Sequence, residues 1–340
     1  MRFILTIFLL SFCTLTLAQR GVNILETLDN LNYTAELPKG ILASKTLVLV
    51  SVPDQMRNGL TVRGDWKKPA EIIQPGFQKA GIDAVAYYHI NDIFSGPEAV
   101  SAFVKKFDER QLENVAFVTE ANGQYRVALT KITNKENLIV AGQDAWKIEG
   151  DDLERMGHDI YLKAASSKQD RKNLLIIGVP IYGSMAKVIE ARRGEYFDVN
   201  FSSETLAIPA FADTAAINQI MADYPYDYVI VDPTLPEKDL RDEGHQYVLY
   251  YVHTSAKNVK QILEYPITDT ETDYITEVVG ETKAESKVKS IDINAPVYKF
   301  YVKHIYSENV FLGTKWDADT TWQEALKNYI VNLKNQLIRD

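Results

Sequence analysis

Cysteine is nearly absent from this chain. Its 340 residues hold one, Cys13, inside an N-terminal segment that reads as a leader. If that leader is removed the chain has no thiol, which excludes disulfides, thiolate metal sites and a cysteine nucleophile, and leaves apolar burial to hold the fold. Histidine is also scarce, with five residues, and none falls in a His-Glu-x-x-His or zinc-finger spacing. No Gly-x-Ser-x-Gly elbow occurs, so a hydrolase of that kind has no nucleophile signature. There is no block of like charge and no apolar run near the roughly 20 residues that span a bilayer. A formal charge of −9 disfavours nucleic acid and anionic membrane as partners.

What is present begins with that leader. Arg2, the mostly apolar run Phe3 to Leu10 and the small-residue end at Ala18 match a secretory signal peptide, cut after Ala18. Bulky Phe12 before Cys13 argues against lipid attachment. The expectation is an exported protein, periplasmic or extracellular, soluble after signal-peptide removal and without a membrane span. Hydrophobic residues at 46% and charged residues at 24% then describe a folded globular chain.

The chain past the leader reads as two tandem α/β units with mixed sheets and hairpins, one a duplicate of the other. Lys45-Thr-Leu-Val-Leu-Val-Ser-Val-Pro53 and Lys172-Asn-Leu-Leu-Ile-Ile-Gly-Val-Pro180 share a pattern, and each predicts a strand buried on both faces. A second correspondence links Tyr125–Ile132 and Glu136–Gly142 to Tyr298–Ile305 and Glu308–Gly313. Asp144-Ala145 and Asp317-Ala318 then precede the last helix of each copy. The expected boundaries are a lead-in over 19–44, a first unit over 45–166, and a second over 172–340 with an insertion around 233–296.

Local signals fill in the elements. The first unit predicts a helix over 69–80 kinked or split at Pro75, a strand over 84–89, and a capping box Ser95-Gly-Pro97-Glu98 opening a helix. Asn122-Gly123 predicts a hairpin, and a helix over 151–165 closes the unit. The second predicts a helix carrying Met185, Val188 and Ile189, a helix over 214–222, strands over 227–231 and 247–252, and an exposed hairpin over 274–291. Thr321-Trp-Gln-Glu324 is a capping box for the C-terminal helix, and Asp317-x-Asp319 reads as a helix cap because it lacks the rest of a calcium loop.

Gly178-Val-Pro-Ile-Tyr-Gly183 resembles the front of a phosphate loop, but Ser184-Met185 follows where lysine and a hydroxyl are required. No cofactor and no metal are implied. Ligands of open α/β sheets bind beyond the carboxyl ends of strands, so the two predicted strand exits supply the candidate ligand-binding residues: Arg57, Arg63, Trp66 and Lys67 from one, Tyr182, Ser184 and Lys187 from the other. The bland alternative is that Trp66 closes the core and the cations are solvated.

With no catalytic signature, the sequence favours a non-catalytic cell-envelope protein that binds or scaffolds another protein, through the 274–291 hairpin and the sheet edges. A binding protein for a small anionic or sugar ligand held between the units is the alternative. A carboxylate-based envelope hydrolase is the third reading, since acid and base can converge without a motif.

Overall fold

The computed structural model describes residues 24–57, 59–133, 137–280 and 286–338. The segment that reads as a signal peptide, with Cys13 and the expected cut after Ala18, lies outside the described residues, as does Glu136. Among the described residues no helix is long and apolar enough to cross a membrane.

The chain builds two α/β units. The first contains α1 (Ile24–Asp29), β1 (Asn32–Tyr33), β2 (Lys45–Ser51), β3 (Gln55–Arg57), β4 (Leu60–Val62), α2 (Lys67–Ala80), β5 (Asp83–His89), α3 (Ile90–Ile93), α4 (Pro97–Glu109), β6 (Leu112–Ala121), β7 (Gln124–Lys131), β8 (Asp144–Gly150) and α5 (Leu153–Ser166). The second contains β9 (Arg193–Gly194), β10 (Leu206–Pro209), α6 (Thr214–Met221), β11 (Tyr228–Val231), α7 (Glu237–Asp242), β12 (Tyr247–Ser255), α8 (Ala256–Ile262), β13 (Asp273–Val278), β14 (Lys287–Asp292), β15 (Pro296–His304), β16 (Asn309–Phe311) and α9 (Trp322–Leu337).

Each unit has a six-stranded mixed sheet, and the two sheets repeat one order. The first runs β5-β2-β6-β7-β8-β1 and the second β11-β10-β12-β15-β16-β9. Neighbour senses also match along the sheet: parallel, parallel, antiparallel, antiparallel, parallel. In the first unit α2 and α5 cover one face and α1, α3 and α4 the other. In the second, α6 and α9 cover one face, and α7, α8 and the β13–β14 hairpin the other.

β2 lies inside its sheet, with Leu47 to Val50 fully buried, as its unbroken apolar run predicts. The matching run at 172–180 forms no strand, and no helix carries Met185, Val188 and Ile189; residues 172–192 are an extended connection between the units. Four-residue β10 holds the central place instead, with Leu206, Ala207 and Ile208 buried. Only crossovers on both sides of a run make it central. Helices α2 and α4 lead to parallel neighbours flanking β2, whereas the 172–180 run leaves α5 and continues straight into the connection. The part without counterpart also narrows. Helix α7 and strand β12 take the places of α4 and β6, which leaves 256–295, where the first unit has a two-residue turn. That turn has Asn122 at φ 54° and Gly123 at φ 74°, the positive pair a tight hairpin needs.

Four local expectations change. Helix α2 is not split but continues through Pro75, which sits on its exposed side. The Ser95–Glu98 capping box does not form. Gly96 is the N-cap of α4, Ser95 Oγ donates to the Asp92 carbonyl, and Glu98 turns to Lys303 of the second unit at 2.7 Å. The 273–292 hairpin is exposed in part: Tyr274, Thr276 and Val278 of β13 and Ile291 of β14 are buried beneath it, whereas residues 287–290 of β14 are exposed on both faces. Asp317 and Asp319 do not cap α9. Asp317 is buried against Lys299 at 2.8 Å and Asp319 pairs with Lys289 at 2.6 Å, while Thr321 caps the helix by accepting from the Glu324 amide.

Candidate functional site

The connection between the units lies along β5, the edge strand of the first sheet. The Tyr87 amide donates to the Ile181 carbonyl at 2.8 Å and the Gly183 amide to the Tyr87 carbonyl at 3.1 Å. Upstream, Gln78 donates to the Ile176 carbonyl at 2.9 Å, Gln74 donates to that of Ile177, and Asn173 donates to the Gly81 carbonyl at 3.0 Å. The protein thus covers the middle of its own β5 edge, and the expectation of an open edge is corrected there, whereas β1 pairs with β8 only at Asp144 and Ala145 on the opposite edge. The cover itself is exposed. Among the described residues the amides of 174–179 donate to no other group.

The side chains of this connection alternate. Ile176, Gly178, Pro180 and Tyr182 are half-buried, whereas Leu175 (93% exposed), Ile177 (54%), Val179 (64%) and Ile181 (40%) face outward beside Leu174 (87%). Isolated exposed aliphatics are ordinary, but a contiguous row marks an interaction surface. At about 1.5–3 kcal/mol per fully buried aliphatic, covering these five is worth roughly 5–10 kcal/mol.

An aromatic clasp ends the row. Tyr182 meets Trp66 edge to face with centroids 5.3 Å apart, Lys67 Nζ lies 4.8 Å from the centre of the Tyr182 ring, and the Tyr182 hydroxyl donates to Glu71 at 3.2 Å. Burial, with the Glu71 charge, pushes the Tyr182 phenol up to about 12. Trp66 also sits 6.2 Å from the His89 ring and packs on the first core.

Behind the clasp a polar joint locks the units together. Asp92, buried at the end of α3, accepts on one carboxylate oxygen from Arg63 at 2.7 Å, Thr254 at 2.6 Å and Asn258 at 2.8 Å. The His253 amide donates to the Ser95 carbonyl at 2.6 Å. Gly96 has φ 153°, and a Cβ there would lie 2.3 Å from the Tyr251 carbonyl oxygen, so glycine permits the contact of α4 with β12. His89 Nδ1 accepts from the Asn91 amide, which places the proton of the neutral ring on buried Nε2. Burial, reinforced by Arg63, lowers His89 to about 3. Burial lowers His253 to about 4 although its Nδ1 bonds the Val297 carbonyl.

The candidate residues therefore divide. Trp66, Lys67 and Tyr182 meet in the clasp, and Arg63 reaches the same corner but is consumed by Asp92. Arg57 is exposed on the β3–β4 hairpin, Ser184 accepts from Lys106 at 2.8 Å, and Lys187 pairs with Glu264 at 3.1 Å, so these three stand apart. Beside the exit of β2 a cavity of about 290 Å³ is lined by Asp54, Asp65, Glu120, Lys68 and Tyr125 among others. Its carboxylates outnumber its lysine, a balance that disfavours an anion. Burial raises the Asp54 carboxyl there, against the pull of Arg63. Among the described residues no three His, Cys, Asp or Glu side chains converge as metal ligands.

Sequence reasoning missed Asp92, Thr254 and Asn258, which come from separate elements and carry no spacing signal. It saw the 172–180 apolar run but placed it inside. Searches against protein-family models, curated proteins and solved structures return no match for this chain.

Proposed function

We propose that this is a non-catalytic binding protein that recognises another folded polypeptide through the aliphatic row of residues 174–181. The single observation behind it is that row: five neighbouring aliphatic side chains, 40–93% exposed, on a segment tied to a rigid sheet edge. Surfaces of this kind are uncommon on isolated soluble chains, and polypeptide partners are what cover them. The clasp and the joint support the same reading, because they hold the segment in one conformation before a partner arrives and so reduce the ordering cost of binding. The repeated strand order supports reading the chain as a duplicated module in which the connection between copies took on the contact. An exported, envelope-located setting fits the leader and stays part of the proposal.

The test is a photo-reactive amino acid at Leu175, with Val199, 79% exposed, as control position, in cells that make the protein. Crosslinking to a polypeptide from position 175 but not 199, lost in Ile177→Lys, is the expected result. Equal or absent crosslinking at both positions refutes the proposal.

A further inference from the structure

Resting on that reading, we infer that the polypeptide covering the row is a second copy of this chain, the two rows packed on each other about a two-fold axis. Three observations carry it.

The first is charge. Residues 173–186 form a window of 14 positions without a single Asp, Glu, Lys or Arg in a chain of formal charge −9. Two copies repel over most of their surface, whereas this stretch of chain adds no like charges to a contact, and the Lys67–Glu71 clasp at its end carries both signs.

The second is shape. The row stands outward on an extended segment, and two cavities, of about 520 Å³ and 290 Å³, open elsewhere, along β9 and at the exit of β2. Peptides captured by a foreign surface gain specificity from side-chain pockets, and none of the residues of this row lines either cavity. An identical row presents aliphatics at the same two-residue spacing, so the rows interdigitate without pockets. An isologous contact needs only one self-complementary patch.

The third is area. From their exposures the five side chains and their backbone offer on the order of 600 Å² per copy, or on the order of 1,200 Å² for a pair, the lower bound of a specific interface. That size belongs to weak or transient association rather than to an obligate dimer.

The experiment is sedimentation equilibrium of the mature chain over a range of about 1 to 200 µM, at low and high salt, for the natural sequence, Ile177→Lys and Leu175→Lys; the range brackets a micromolar dimer. Thermal melts confirm that the variants fold, which the exposure of both sites permits. The expected result is a concentration-dependent monomer–dimer equilibrium that tightens as salt screens the net charge. Each lysine variant is expected to weaken it at least tenfold. A dimer that neither lysine affects overturns the inference. A natural chain that stays monomeric to the top of the concentration range also overturns it. If the 175 crosslinker then captures a different polypeptide, the binding function stands and only the second copy is lost; if it captures nothing, both fall.

Discussion

Replacing Asp92 by asparagine tests whether the joint between the units is a buried electrostatic lock. Asp92 is 1% exposed and the Arg63 side chain 9%, and the carboxylate also receives Thr254 and Asn258. The amide would keep the volume but remove the charge, leaving a guanidinium almost out of water without its hydrogen-bonded carboxylate, and with only the Asp54 charge to act on it. Breaking a buried pair in this way costs about 3–5 kcal/mol. Urea unfolding followed by tryptophan fluorescence reads the loss. Arg63→Met alone should cost less, because the carboxylate keeps two neutral donors. The double variant should fall short of the sum of the single effects by about 1–3 kcal/mol, the coupling of two groups in contact. Since Asp92 belongs to the first unit and Thr254 and Asn258 to the second, Asp92→Asn should also split one unfolding transition into two. A loss below about 1 kcal/mol with additive single effects, a coupling under about 0.5 kcal/mol, would refute the lock.

Acid should weaken the same joint. His89 and His253 fold with pKa values of about 3 and about 4, against 6.5 when exposed, so their contribution is complete above pH 6.5 and is lost as pH falls from there toward 4. Each costs about 1.4 kcal/mol per pH unit in that window, and burial-raised Asp54, Asp83, Glu98 and Asp317 offset part of it as they take up protons. A stability that is flat from about pH 6.5 to about pH 5 would contradict the assignment, and His89→Gln should reduce the slope. Gly96→Ala should loosen the units, at about 1–3 kcal/mol for the backbone conformation alone, with faster amide exchange at His253; unchanged exchange would refute the contact. Deep in the second unit, burial lowers Lys299 and raises Asp317, yet they meet at 2.8 Å. Asp317→Asn should cost about 3–5 kcal/mol in a thermal or urea melt, whereas Lys299→Met with Asp317→Leu should be near neutral, and equal losses for both would count against the pair.

Elements whose signals are local were legible in the amino-acid order alone. The hairpin at Asn122-Gly123, the cap at Thr321, the helical spacing of α4 and α9 and the unbroken run of β2 all act within a few residues, where backbone geometry and side-chain period are fixed by neighbours in the chain. Membership in the α/β class followed from those pieces. Which of two nearly identical apolar runs is buried was settled by packing, because Lys45–Ser51 gains a parallel neighbour on each side while 172–180 meets one edge and then solvent. Packing settled the site as well. Trp66 and Tyr182 lie 116 positions apart and Asp92 and Asn258 lie 166 apart, and contacts at such separations are set by how two sheets dock, for which no run of adjacent residues carries a record.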